Sequence, residues 1–243
     1  MSVTRLLPGN PPELIVYDRT QRCPYLPDRI ARLPLRLPAR PLSGKELDAR
    51  LEAGDRRQGL VLYRTACPAC RACEPIRIDV EHFDPTRAQR RVLKRCDALL
   101  DVQVGPPAVD TQRIELYNRH KLGRELGEAR DLIDAEGYRD FLVITCCDSF
   151  ELRYRVDGRL IGIAITDRGE SSLSAVYCYY DPAFLRLGIG TYSILKQLEL
   201  CRRWGLRWLY LGLYIEDCAK MVYKGRFLPH ERLLGGRWVR FER

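Results

Sequence analysis

The 243-residue sequence predicts a mixed α/β chain of α+β type. A largely antiparallel sheet is expected in its C-terminal part and a smaller, cysteine-bearing unit in its N-terminal part. Three observations carry this prediction. The last hundred residues alternate apolar runs with turn signals in the order β-β-β-α-β-α, an antiparallel meander followed by one crossover. Residues 1–42 are rich in proline and show little periodicity, so they can wrap a surface without making a core. Between the two lie a cysteine cluster and a strongly basic helical stretch.

The elements follow in chain order. Ser43-Gly44-Lys45-Glu46 is a capping-box sequence, with Ser43 as N-cap and Glu46 three residues on. It opens a short helix with Leu47 and Leu51 on one face, ending near Gly54. Gly59–Tyr63 is expected as one strand before the cysteines, and Pro75–Val80 as another after them. Pro85-Thr86 opens a basic helix running to about Leu100. Gly105-Pro106-Pro107 breaks the chain, which places a domain boundary there: 1–107 against 108–243. Helical periodicity returns at Ile114, Tyr117 and Lys121. Phe150–Val156 and Leu160–Thr166 are strands joined by Asp157-Gly158, a strong hairpin signal. Leu173–Tyr180 is a third strand. Gly188-Ile189-Gly190 precedes a helix carrying Ile194, Leu195, Leu198, Cys201 and Trp204. Arg207–Ile215 is a fourth strand, and a last short helix is expected over Cys218–Tyr223.

Composition narrows the function classes. The 46% hydrophobic content supports a real core and excludes a disordered chain. No run of eighteen apolar residues suggests a membrane span. Met1–Arg5 leads into Pro8, Pro11 and Pro12 in place of an apolar signal core, so a cytoplasmic location is expected, without a membrane partner. The net charge of +9 suits a polyanionic partner, because neutralising phosphates releases counterions. Only six of the 41 basic residues are lysine, however, a skew that genomic base composition can also produce. Ten cysteines in a reducing compartment argue for metal ligation, packing or catalysis and against a disulfide framework.

Four motifs could carry chemistry. The segment from Tyr180-Asp181-Pro182 to Gly188-Ile189-Gly190 joins a strand to a helix N-terminus, where backbone N–H groups and the helix dipole can meet an anion. Acyl-CoA N-acetyltransferases hold a pyrophosphate in this way. The surrounding meander therefore favours an N-acetyltransferase-like fold, although Leu185 stands where those enzymes place Gln or Arg. Secondly, Cys67, Cys70 and Cys73 repeat the C-x-x-C spacing, and Cys23 could add a fourth ligand. Such a set suits zinc or an iron–sulfur cluster, and equally three small half-buried thiols. Thirdly, Arg87, Arg90, Arg91, Lys94 and Arg95 form a cationic stripe suited either to phosphate or to solvent. Fourthly, alternation puts Tyr210 and Tyr214 on one strand face with Gly212 between them, where a ligand could approach the backbone. Lys220, Lys224 and Arg226 follow the strand.

Taken together, these residues resemble the arginyl/leucyl-tRNA–protein transferase family. The likeness is carried by Ser174–Pro182, Gly188–Leu195, Tyr210–Ile215 and Cys218–Lys224, with Cys23–Pro27, Cys67–Cys73 and Arg87–Arg91 in the N-terminal half. It departs from the family pattern at Arg186-Leu187-Gly188 and at Leu213. The resemblance implies an N-acetyltransferase-like catalytic half, an aminoacyl-tRNA donor and acceptor proteins that begin with Asp or Glu. The compact length is similar to the bacterial branch, which transfers leucine; transfer of arginine is the alternative. No cofactor is needed for transfer, and a monomer is expected. The expected roles place Asp181, Tyr210 and Tyr214 in catalysis. Tyr180, Gly188, Gly190, Lys220, Tyr223, Lys224 and Arg226 would bind substrates, Arg87–Arg95 would bind tRNA, and Cys23, Cys67, Cys70 and Cys73 would hold metal. Two rivals remain from the residues themselves: an acetyl-CoA-dependent N-acetyltransferase and a noncatalytic zinc-dependent RNA-binding module.

Overall fold

The computed structural model describes residues 5–126 and 131–242; Met1–Thr4 of the N-terminal segment read above lie outside them. In chain order the elements are β1 (Arg5–Leu7), β2 (Glu13–Tyr17), β3 (Thr20–Arg22), β4 (Ile30–Arg32), β5 (Leu35–Pro38), α1 (Gly44–Glu52), β6 (Arg56–Gln58), β7 (Val61–Tyr63), β8 (Glu74–Asp79) and α2 (Arg87–Asp97). Then come β9 (Asp101–Gly105), α3 (Thr111–Gly123), α4 (Ala135–Tyr138), β10 (Ser149–Val156), β11 (Arg159–Arg168), β12 (Ser172–Tyr180), α5 (Ile189–Arg203), β13 (Trp208–Tyr214), β14 (His230–Leu234) and β15 (Arg237–Phe241).

An eight-stranded sheet runs β15-β14-β8-β13-β12-β11-β10-β9. Every pairing in it is antiparallel except β12 with β13, which α5 connects as the crossover. The apolar stripe of α5 (Ile194, Leu195, Leu198, Cys201) packs with Ile76, Ile78, Leu152, Leu173 and Leu209 on one face. Several of these are fully buried, so truncating one to alanine would cost about 2–5 kcal/mol. On the other face α3 and the turn after α4 bury Leu116, Tyr117, Tyr138 and Leu142 against Ile163, Ile165 and Tyr179. A third cluster joins α1 (Leu47, Leu51) to Leu62, Cys146, Cys147 and Tyr210.

The mixed α/β class and the meander-plus-crossover order are as expected. Ser43 caps α1 in a full capping box, and Thr86 does the same for α2 with Gln89. Other expectations need correction. The boundary at 107 does not divide the sheets: β8 and β9, from before it, lie in the same sheet as the C-terminal strands, with β8 between β13 and β14. Residues 1–42 supply three of the five strands in a second sheet, β1-β2-β5-β7-β6. Gly59–Tyr63 is not one strand; the chain turns at Gly59-Leu60 and pairs β6 with β7. The last helix is a single 3-10 turn over Val222–Arg226, after which a β14–β15 hairpin closes the sheet edge.

One buried ion pair joins the two sheets, and a second group of pairs ties α1 to the large sheet. Arg57 of β6 donates to both oxygens of Asp167 in β11, at 2.7 and 2.8 Å. Arg77 of β8 pairs with Glu231 and Glu52 while its guanidinium lies 3.7 Å from the Trp208 ring and 4.1 Å from Trp238. Planarity and weak hydration suit arginine to both contacts.

Candidate active site

The sheet opens at its one parallel pair. β12 and β13 are bonded only at Ser172–Ser174 with Trp208–Tyr210. Beyond that point each strand carries an extra residue. The β12 register passes from Ala175 to Tyr177, leaving Val176 unpaired with β11, and the β13 register passes from Tyr210 to Gly212, leaving Leu211 unpaired with β8. A bulge bends its strand and increases local twist. The two bulges mark the point where β12 and β13 part, and the space between the parted strands is a cleft.

Two cations occupy the cleft. Arg56 reaches in from β6, and its Nη2 donates a long 3.5 Å bond to the Ala175 carbonyl. Its Nε and Nη1 are buried without a hydrogen-bond partner. The guanidinium lies on Gly212, where a Cβ would stand 2.5 Å from Cζ. Gly212 also has φ +87°, so glycine is required twice over. From the other side, Lys224 donates to the Leu213 carbonyl at 2.7 Å and touches Met221 Sδ at 3.3 Å. Burial, and then the Arg56 charge, push its ammonium down to about 7. Burial likewise pushes the Tyr25 hydroxyl up to about 12, with Tyr63, Cys73 and Cys218 adding to the rise and the Arg56 charge opposing it.

These cations differ from the other buried ones. Arg57 has Asp167, Arg113 has Glu151, Arg36 has Glu13 and Asp55, Arg77 has Glu52 and Glu231, and Arg232 has Glu74. Among the described residues no carboxylate pairs with Arg56 or Lys224. A buried charge without a counter-ion is costly. The cleft is therefore built to receive an anion.

The residues singled out from sequence divide between this cleft and other places. Lys224 lies in it, and Gly212 forms its floor. Tyr214 lines the adjoining wall, with Arg232 stacked 4.6 Å from its ring. The half-buried Tyr223 has its hydroxyl pushed up to about 12 by burial, with Cys178 and Tyr180 as neighbours. Tyr210 is not on the same face as Tyr214, because the Leu211 bulge reverses the alternation. Its hydroxyl accepts from Arg77 and donates to Glu52, both at 3.1 Å, in the α1 cluster. Tyr180 ends β12 with its backbone N–H donated to His120 Nδ1 at 3.1 Å. Asp181 caps the turn Pro182–Leu187 and accepts from the Ala183 N–H (3.0 Å), Arg119 (2.8 Å) and Arg159 (2.6 Å). Burial raises its pKa, but these donors outweigh that and hold the carboxyl below its ordinary value. Lys220 and Arg226 are exposed, and Lys220 donates to the Glu125 carbonyl. Arg56 had no motif to mark it, and Tyr25 stood only inside the Cys23–Pro27 likeness, with no role assigned to it. The one legible signal was Gly212, whose close visitor is the Arg56 guanidinium.

The basic stripe is intact. Arg87, Arg90, Arg91, Lys94 and Arg95 are all exposed on α2, whose other side buries Gln89 and Cys96. Arg90 meets Asp84, and Arg95 donates to the Leu187 carbonyl at 2.8 Å. The stripe therefore runs to Gly188 and Gly190 at the start of α5. A Cβ on Gly190 would meet nothing within 4 Å, so the backbone there is open.

The cysteines converge loosely beside the cleft. Burial pushes the Cys73 thiol up to about 12, and Cys23, Cys67, Cys70 and Cys218 follow as neighbours that raise it. The Leu26 N–H donates to Cys23 Sγ at 3.4 Å. Thiolates suit zinc or an iron–sulfur cluster in donor chemistry, but among the described residues no three of these sulfurs lie within 4.8 Å of one another, so the expected ligand set is not assembled here. Two surface hollows lie elsewhere: about 380 Å³ beside Leu60, Phe141 and Ile144, and about 250 Å³ beside Asp48, Trp208 and Tyr210. Neither contains the unpaired cations. No helix of the described residues is long and apolar enough to cross a membrane.

A cleft that offers buried cations to an anion, next to an exposed basic helix, fits an enzyme that positions charged substrates for group transfer. Comparison with known proteins makes the class definite. Residues 21–91 match the family described as "Arginine-tRNA-protein transferase, N terminus", and residues 112–234 match its C terminus. Curated relatives named aspartate/glutamate leucyltransferase include one from Chromobacterium violaceum, 38% identical over 216 residues and covering 89% of each chain. Another, from Aeromonas hydrophila, is 38% identical over 220 residues, covering 89% of this chain and 90% of its own. Among solved structures, the C-terminal domain of a putative lysylphosphatidylglycerol synthetase from Agrobacterium fabrum aligns with TM-score 0.47 at 14% identity, over 60% of this chain and 47% of its own. A GCN5-related glucosamine N-acetyltransferase region from a fungal enzyme aligns with TM-score 0.39 at 12% identity, over 69% and 20%. The chain is an aminoacyl-tRNA–protein transferase. It belongs to the arginine-tRNA–protein transferase family.

Proposed function

We propose that this enzyme moves leucine from leucyl-tRNA onto the N-terminal Asp or Glu of acceptor proteins, in the cytoplasm and as a monomer. The observation that carries the reading is the buried Arg56 guanidinium without a counter-ion, beside the buried Lys224, a site that an acidic acceptor would complete. The names of the curated relatives, across nine-tenths of the chain, support leucine as the transferred residue.

The donor ester is already activated, so the enzyme's main task is to hold two substrates in line. The acceptor α-amine, with an ordinary pKa of about 8, must lose a proton before it attacks. Lys224 is suited to take it. With a pKa near 7, its Nζ is neutral in about half the molecules at pH 7 and keeps a lone pair while it donates to Leu213. The new C–N bond forms as the amine attacks the ester carbonyl. The C–O bond to the terminal ribose then breaks, and the departing oxygen recovers the proton from Nζ. Asp181, already held by three donors, would keep the β12 end in place. The exposed cations of α2 would contact tRNA phosphates.

Cys23, Cys67, Cys70 and Cys73 would hold zinc or an iron–sulfur cluster that fixes the N-terminal segment beside the cleft. Metal analysis of the purified protein tests this, and a preparation holding neither zinc nor iron would sink it. For the reaction, purified enzyme is mixed with an Asp-starting peptide, total tRNA, synthetases and labelled leucine or arginine. Leucine on the peptide is expected. Arginine in its place would move the enzyme to the arginyl branch, and label on neither would refute aminoacyl transfer to acidic N-termini.

A further inference from the structure

Arg56 comes from the N-terminal half, yet its guanidinium lies inside the cleft of the C-terminal half. It is held by one long bond to Ala175, with Nε and Nη1 unpartnered and buried. Gly212 presents a bare backbone beneath it. The cations suited to phosphates are elsewhere, exposed on α2. An enclosed arginine fits a small planar anion that can reach it, and a carboxylate matches its fork of donors.

We propose that Arg56 is the specificity-determining residue that reads the side-chain carboxylate of the acceptor's first residue. This rests on the acidic-acceptor reading above and adds the group that enforces it. The acceptor carboxylate supplies the counter-charge missing from the cleft. A neutral isostere such as Asn would leave the guanidinium buried and uncompensated, so the site discriminates by what it leaves unpaired. Lys224 beyond it is thereby free to serve the amine.

The test is direct binding of two peptides that differ only in Asp or Asn at the first position, measured by calorimetry on the whole protein, so that it does not depend on transfer. Wild-type enzyme should bind the Asp peptide about 30-fold or more tighter, the scale of a charge-assisted pair. Arg56→Gln should bring the two within about 3-fold, chiefly by weakening the Asp peptide. It should also melt no lower than wild type, since it removes an uncompensated buried charge. Gly212→Ala provides a second variant. Its Cβ drives the guanidinium off the strand without removing the charge, and discrimination should fall again. The KM for leucyl-tRNA should stay unchanged in Arg56→Gln. Retained discrimination in Arg56→Gln, equal loss for both peptides, or a rise confined to the KM for tRNA would each overturn the assignment. If the Asp peptide binds through Arg56 but receives no amino acid, the transfer reading fails and the carboxylate site stands.

Discussion

Replacing Lys224 with methionine should make this enzyme more stable at neutral pH and leave it nearly inactive. The lysine is 9% exposed, and its pKa falls from 10.5 to about 7. Between those values the unfolded chain binds more protons than the folded one. The stability associated with this group is therefore fully present above pH 10.5 and is lost as pH falls towards 7. Linkage makes the loss about 4 kcal/mol at pH 7 and about 2 kcal/mol at pH 9. Methionine removes it but also strips the Leu213 carbonyl of its donor, which costs about 2 kcal/mol. The net gain is then about 2 kcal/mol at pH 7, near zero at pH 9, and negative above pH 10.5. Urea unfolding of both proteins from pH 6.5 to 10 measures this directly. A variant less stable than wild type at pH 7, by an amount independent of pH, would refute both the depressed pKa and the proton-accepting role built on it.

Other expectations can be checked separately. Arg113→Met leaves Glu151, fully buried, with only the longer 3.6 Å pair to Arg153, and should cost about 3 kcal/mol in urea unfolding. Changing Arg90, Arg91 and Lys94 together to Gln should lower the salt slope of tRNA binding by about 2–3, and an unchanged slope would remove α2 from the interface. Transfer to an Asn-starting peptide should show a pH limb near 7; because Arg56 pushes the Lys224 pKa down, Arg56→Gln should move that limb to higher pH. Cys70→Ser and Cys73→Ser should each reduce the metal content of the purified protein.

Local signals were legible where local physics decides. Ser43/Glu46, Thr86 and Asp157-Gly158 state their caps and turn in the residues themselves, and those elements formed as expected. The strands of residues 1–42 were not legible, since a three-residue edge strand such as β1 shows no period. The β14–β15 hairpin likewise went unmarked, although Gly235-Gly236 sits at its turn. The faces of Tyr210 and Tyr214 were misassigned because a bulge is invisible to simple alternation. The site was half legible. Lys224 and Gly212 stood in a motif, but Arg56 is one of 35 arginines, and only tertiary packing shows that it lacks a partner.

The placement of β8 also sets a timetable for the nascent chain. Both of its neighbours, β13 and β14, are made late: from Asp79 to Trp208 is 129 residues. At roughly 5–20 residues per second, a ribosome needs about 6–26 s to deliver the first of them. For that interval a strand carrying Ile76 and Ile78 emerges with both edges bare, a template for pairing with other chains. Its gatekeepers are its own charges, Glu74, Arg77 and Asp79, interleaved with the apolar residues. The same arginine that later sits between Trp208 and Trp238 thus guards the segment before either tryptophan exists.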